Sequence, residues 1–190
     1  MKEKTLLVTG FEPFGGKDIN MSWEAAAVLP EEIGADRLVK RKLPTVFRKA
    51  GALAIGAIEE IKPDAVICLG EAGGQSAVTP ELVALNLRFG RIPDNEGQAP
   101  RDEVISEGGE NALFSTLPAR KMAEAIAAAG KPGELSLSAG LFVCNDVMYQ
   151  VLEHLKGSEV PMDFIHVPAD GEMTAEEIAA ALTVAIESIG

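Results

Sequence analysis

Residues 65–69, Ala-Val-Ile-Cys-Leu, form an unbroken apolar run between Lys62-Pro63-Asp64 and Gly70. Continuous apolar character over a stretch this short predicts a strand buried on both faces of a parallel sheet. Upstream, Val46, Ala50, Leu53, Ala54, Ala57, Ile58 and Ile61 recur at helical spacing. They predict a helix capped by Thr45 and stopped by Lys62-Pro63-Asp64. Residues 37–43 alternate polar and apolar, as a half-buried strand does. Residues 22–29 read as a short helix with Ser22 as its cap, and residues 4–9 as a first strand ended by Gly10.

Downstream, residues 70–80 read as a loop and 82–89 as a strand. Residues 90–111 are rich in Gly, Pro, Asp, Asn and Glu and carry no period. A loop of that length inside a compact domain is usually functional or disordered. Residues 118–129 predict an alanine-rich helix with Gly130 past its end. Residues 135–143 predict a strand running into a turn, and 144–156 a helix with Val147, Met148, Val151, Leu152 and Leu155 on one face. Residues 163–167 predict a strand closed by Pro168. Thr174 and Glu177 form a capping box for a last helix. The alternation implies one α/β domain over residues 1–190, with a largely parallel sheet and helices on both faces. In such sheets sites form at the carboxyl ends of the strands.

Composition narrows the function. The chain has 190 residues, 47% of them hydrophobic and 24% charged, which is the mix of a soluble globular protein. A formal net charge of −12 repels phosphate backbones, which argues against a nucleic-acid or anionic-membrane role. No apolar run approaches the roughly 20 residues that span a bilayer, and the N-terminal apolar stretch is too short for a signal peptide. Free thiols without an export signal point to the cytoplasm. Two cysteines and two histidines, scattered, make a structural zinc site improbable, and no cofactor is implied.

Cys144 is the most informative residue. It follows the apolar run Leu141-Phe142-Val143 and opens a helix. There it would meet free N–H groups and the positive end of the helix dipole, both of which favour a thiolate. The opposing reading is a small buried hydrophobe, and the strand-to-helix junction is the only discriminator. Cys68, inside the run at 65–69, reads as inert. His154 lies ten residues beyond Cys144 on the same helix, roughly 15 Å along the axis, out of hydrogen-bonding reach. His166, at the end of the strand 163–167, meets Cys144 if the two strands are neighbours. An acid must then orient the imidazole, and Glu12, Glu71, Glu81, Asp94 and Glu96 all remain open. Phe11 and Phe14, in the Gly-rich loop 10–16, line an apolar slot or pack on the core, and Phe142 has the same two readings. That loop fits neither the dinucleotide fingerprint nor the Walker loop. Arg91 either stabilises an oxyanion or sits in solvent.

Several segments together resemble pyroglutamyl peptidase I, a family of cysteine omega-peptidases. They are TGFEPFGG (9–16), Asn20 with Ser22-Trp23, LPTVF (43–47), GEAGGQSAVTPE (70–81), RIPDNEG (91–97), FSTLP (114–118), FVCN (142–145), VMY (147–149) and FIHVP (164–168). Each is weak alone; their shared order over nearly the whole chain is specific. The resemblance implies an α/β/α sandwich with a twisted, mostly parallel sheet. It implies Cys144 as nucleophile, His166 as general base and Glu81 as the acid that orients it, with Arg91 placed to assist the oxyanion. The implied substrate contacts are Phe11, Phe14, Asn20, Glu71, Phe142 and Val143, with Phe11, Phe14 and Phe142 walling the slot.

The implied reaction is hydrolysis of the amide bond after an N-terminal pyroglutamyl residue, without metal or organic cofactor. The implied partners are pyroglutamylated peptides and further copies of the chain, as a dimer or tetramer. Glu71 stands where the family has Gln or Leu, Gln75 where it has Arg, and Leu141 where it has Thr. These departures motivate one alternative, a non-catalytic or altered-specificity binder on the same scaffold.

Overall fold

A computed structural model describes residues 3–189. The run at 65–69 lies inside a six-stranded sheet. In chain order the elements are β1 (Thr5–Phe11), α1 (Met21–Val28), β2 (Glu32–Ile33), β3 (Asp36–Leu43), α2 (Lys49–Ile61), β4 (Ala65–Ala72), β5 (Thr79–Pro80), β6 (Val83–Leu85), β7 (Ala112–Phe114), α3 (Ala119–Ala128), α4 (Val143–His154), β8 (Met162–Pro168) and α5 (Ala175–Glu187). The strand order is β2-β3-β1-β4-β8-β5. The four central strands are parallel, and the two-residue strands at the edges run antiparallel to their neighbours. β6 and β7 pair separately, as a two-stranded antiparallel sheet.

Helices cover both faces. On one, α1, α3 and α5 pack Met122, Ile126, Ile178 and Leu182 against Leu6, Val8, Ile67 and Ile165. On the other, α2 and α4 pack Ala50, Ala54, Val147, Met148 and Val151 against Leu7, Val66, Cys68 and Phe164. Each fully buried aliphatic side chain of this kind contributes roughly 1.5–3 kcal/mol relative to exposure. Burial of residues 65–70 without interruption accounts for the unbroken apolar run. The capping box of α5 forms as predicted: Thr174 Oγ1 accepts from Glu177 N at 3.2 Å, and Thr174 N donates to Glu177 Oε2 at 2.8 Å. Among the described residues no helix is long and apolar enough to cross a membrane.

Several expectations are corrected. Asn20, not Ser22, caps α1; its Oδ1 accepts from Ser22 N at 3.1 Å. Thr45 does not cap α2, which starts only at Lys49, after Arg48 at φ 66°. The hydroxyl of Thr45 donates instead to Glu12 O. Of the strand expected at 82–89 only Val83–Leu85 is realised, paired with the unforeseen β7. Residues 135–143 form no strand. Ser136 makes a single bridge to Glu81, and α4 is entered from a loop.

Candidate active site

β5 sets an acid beside a histidine. Thr79 pairs with His166 and Pro80 with Ile165 on β8, and Glu81 N donates to Phe164 O at 2.8 Å. Two residues beyond Thr79, Glu81 presents its side chain on the face that carries His166. Its Oε1 lies 2.6 Å from His166 Nδ1. Glu81 is 0% and His166 6% exposed, so the pair is dry. A carboxylate on Nδ1 fixes the ring and leaves Nε2 for a second partner.

That partner is Cys144, the second residue of α4. A Cβ built on Gly70 would fall 2.8 Å from its Sγ and 2.8 Å from the ring of Phe164. Gly70 is the register partner of His166. The sulfur therefore reaches the sheet beside the imidazole because position 70 has no side chain. Burial lowers the proton affinity of His166. The negative charge of Cys144, its hydrogen bond to the ring, and the bond and charge of Glu81 outweigh that effect and raise the pKa to about 10. The ring is held between the Glu81 carboxyl on one side and the Cys144 sulfur on the other, which favours its protonated form.

The start of α4 is left open. Phe142 is its N-cap and supplies no side-chain hydrogen bond. The first amide with an in-helix partner is Asp146 N, which donates to Phe142 O at 3.1 Å. The preceding N–H groups, at Val143, Cys144 and Asn145, lie in the first turn that carries the sulfur, and free amides at a helix start suit an anion. Cys68 is the contrast on the same sheet face. Burial pushes its thiol up to about 12, with Asp163 and Cys144 adding to the rise.

A cavity of about 560 Å³ opens beside Phe142, lined also by Phe14, Phe89, Arg91, Ile92, Gly140 and Leu141. Phe142 packs 5.2 Å from Phe14 and edge-on, 4.9 Å, against Phe47. An apolar cleft of this size with a few polar groups has the character of pockets that take small molecules. Among the described residues no cluster of His, Cys, Asp and Glu could hold a metal ion.

The model of one protein family, pyroglutamyl peptidase, matches residues 4–189. The chain belongs to that family. A pyrrolidone-carboxylate peptidase of Lactobacillus johnsonii is 48% identical over 86% of this chain and 77% of its own length. One of Staphylococcus saprophyticus is 42% identical over 97% of this chain and 92% of its own. Among solved structures, the pyroglutamyl peptidase I of Bacillus amyloliquefaciens superposes with a TM-score of 0.94 at 38% identity, covering 99% of this chain and 95% of that one. The pyrrolidone carboxyl peptidase of Thermococcus litoralis gives 0.92 at 35% identity, covering 98% and 93%. Family membership makes the chain a cysteine peptidase on an α/β scaffold.

The expected site residues fall into three groups. Cys144, His166 and Glu81 are in mutual reach, while Phe14, Phe142 and Arg91 line the cavity. Arg91 is exposed and, among the described residues, makes no ion pair. The other four are not among the residues that line the cavity. Phe11 is buried in the core with its ring 6.4 Å from Phe164, beneath the cavity. Val143 is buried in the same cluster. Asn20 spends its side chain on Ser22 and on Glu12 O, holding the start of α1. Glu71 turns to α1 as well: Oε2 accepts from Met21 N at 2.8 Å, and Oε1 pairs with Lys17. Its charge is matched by a cation and a helix N-terminus.

Sequence reasoning missed Gly70, Asn145, Asp146 and Arg88. Gly70 stood in the quoted motif, and its required smallness has no signal in one sequence. The other three act through contacts across 58 to 60 residues of chain.

Proposed function

We propose that the chain hydrolyses the amide bond following an N-terminal pyroglutamyl residue, with Cys144, His166 and Glu81 as its catalytic unit. The buried Glu81–His166 contact, with a cysteine sulfur over Gly70, carries this reading. The flat, neutral lactam would lie in the cavity against the apolar wall that Phe14 and Phe142 form together, where no charged amine has to be desolvated. Cys144 thiolate attacks the pyroglutamyl carbonyl carbon, and the oxyanion faces the free amides at the start of α4, with Arg91 at the cavity rim. His166 passes a proton to the leaving amine as the C–N bond breaks. It then takes a proton from water, whose oxygen attacks the thioester; pyroglutamate leaves and the thiolate returns. Glu81 holds the ring throughout and keeps its charge favourable.

Of the three departures behind the binder reading, Glu71, Gln75 and Leu141, the engagement of Glu71 with Lys17 and α1 weakens the first, since its carboxylate is already matched. Cytoplasmic location and self-association belong to the same family reading. Phe114, 64% exposed, and Leu137, 66% exposed, are apolar surface for a second copy; a monomer in sedimentation at micromolar concentration would exclude it.

The test is release of nitroaniline from pyroglutamyl-p-nitroanilide. Wild type turns it over, and Cys144→Ala loses at least about a thousandfold in kcat/KM. A folded wild type without turnover, or a Cys144→Ala variant with undiminished turnover, overturns the proposal.

A further inference from the structure

Residues 88–103, expected to be an unpatterned loop after Phe89, form an irregular hairpin that supplies one wall of the cavity. Its rungs are Arg88 N to Glu103 O at 2.6 Å, Glu103 N to Arg88 O at 3.1 Å, Gly90 N to Pro100 O at 2.7 Å and Asp94 N to Gln98 O at 2.9 Å. Phe89, Arg91 and Ile92 face the cavity from this hairpin. A Cβ on Gly90 would fall 2.9 Å from Ala99 Cα, so the two limbs meet closely.

At the base of the hairpin lies a buried ion pair. Arg88 is 6% exposed and Asp146 0%. Arg88 Nε donates to Asp146 Oδ1 at 2.7 Å, and Nη1 donates to Glu103 Oε1 at 2.9 Å. Asp146 Oδ2 accepts from Arg48 N at 2.6 Å, where Arg48 has φ 66°, a conformation costly for a residue with a side chain. The guanidinium of Arg48 returns to Glu103 at 2.5 Å, closing a ring of hydrogen bonds. Beside it, Asn145 bonds Leu85 N, Leu85 O and Leu87 O. Both anchor residues directly follow Cys144.

We infer that the Arg88–Asp146 pair is a positioning device that fixes the hairpin wall to the helix bearing the nucleophile, and so determines how tightly substrate is held. Replacing both members of a buried ion pair with apolar groups often costs little stability, so a role for such a pair is sought in the arrangement it holds. Here the arrangement joined is the cavity wall to the first turn of α4. Glu81 and His166 are held separately, by β5 on β8. Loss of the pair therefore loosens the wall without dismantling the catalytic unit. The inference rests on the peptidase reading of the cavity.

The test is the division of the effect between KM and kcat on pyroglutamyl-p-nitroanilide, with the rate of Cys144 alkylation by iodoacetamide in the absence of substrate. In Arg88→Met, KM is expected to rise about tenfold, with kcat and alkylation rate each within about twofold of wild type. Hydrogen exchange at Gly90 and Asp94 is expected to quicken, with that of β8 unchanged. A folded Arg88→Met variant with unaltered KM, or one that loses kcat at constant KM, overturns the inference. Should Arg88→Met not fold, the charge-free double variant Arg88→Met with Asp146→Leu replaces it. Raised KM in the double variant supports the inference, and wild-type KM or failure to fold overturns it. Absence of turnover in wild type removes the peptidase reading and the inference with it.

Discussion

The face of the sheet covered by α1, α3 and α5 packs Leu6, Val8, Ile67, Ile165 and Val167 under Ile178 and Leu182. The face covered by α2 and α4 uses the same strands but admits Glu81, His166, Asn145, Asp146 and Arg88 among its buried groups. β8 serves both, sending Ile165 and Val167 one way and Phe164 and His166 the other. The first face is held by apolar burial, with the buried Asp163 its one charged-type exception on β8. The second gives up some of that burial to desolvated polar groups, each needing a partner. Strain and free hydrogen-bonding groups gather there: Arg48 in a left-handed conformation, uncapped amides on α4, and an unpartnered Glu81 Oε2. The difference separates a face that keeps the molecule folded from a face that keeps a reaction possible.

The sharpest way to break this comparison is Glu81→Gln. It preserves shape while removing the charge that holds His166, and kcat should fall about 10³–10⁴-fold, read with the chromogenic amide. The same variant should flatten the alkaline stability profile. His166 is raised to about 10 in the folded protein from an ordinary 6.5. Its contribution is thus complete below about pH 6.5 and lost as pH rises through about 10. The wild-type melting temperature should fall over that window, and that of Glu81→Gln should fall less. Equal slopes would mean that the carboxylate does not hold the imidazolium.

Gly70→Ala comes next. Its methyl group would sit 2.8 Å from both the Cys144 sulfur and the Phe164 ring. Displacement of the sulfur should cost about a hundredfold in kcat, with about 1–3 kcal/mol of stability lost to overpacking, measured by denaturant titration. Undiminished kcat would show that the sulfur need not lie against β4.

The smallest effect belongs to the first face. Asp163 alternates with Ile165 and Val167, is buried, and leaves Oδ2 without a partner. Burial raises its pKa well above the carboxylate range, with Glu81 adding to the rise against hydrogen bonds from Ser115 and Phe164 N. A raised folded pKa means that stability is lost as pH rises above about 4. Asp163→Asn should raise the melting temperature by a few degrees at pH 8 and by nothing at pH 4. An equal shift at both would assign the effect to packing instead of charge.

Much of the fold was legible because burial leaves periodicity in the chain. β4 reads as apolar throughout because both faces are covered, and Thr174 with Glu177 marks the last helix locally. What misled was the same logic without a partner. Residues 135–143 alternate as a strand should, but β5 already occupies the free edge of β8, so Ser136 finds only one bridge. Two residues containing a proline gave no sign of β5 itself. Ser22 and Thr45 satisfy the capping rule in sequence; Asn20 outcompetes the first, and carboxylates of Asp94 and Asp146 begin α2 from afar. For the site, thiol and imidazole were visible as residue types and Glu81 only through resemblance. Its choice over four other acids depends on a strand pairing that no local pattern encodes.

The depth at which Cys68 lies has a practical reach. With that thiol sealed from solvent and Cys144 partly open, an electrophilic dye would mark each intact molecule once, at the reacting atom. The number of dyes per chain would then count working enzyme in a mixture, and a second dye would report that a molecule had come apart.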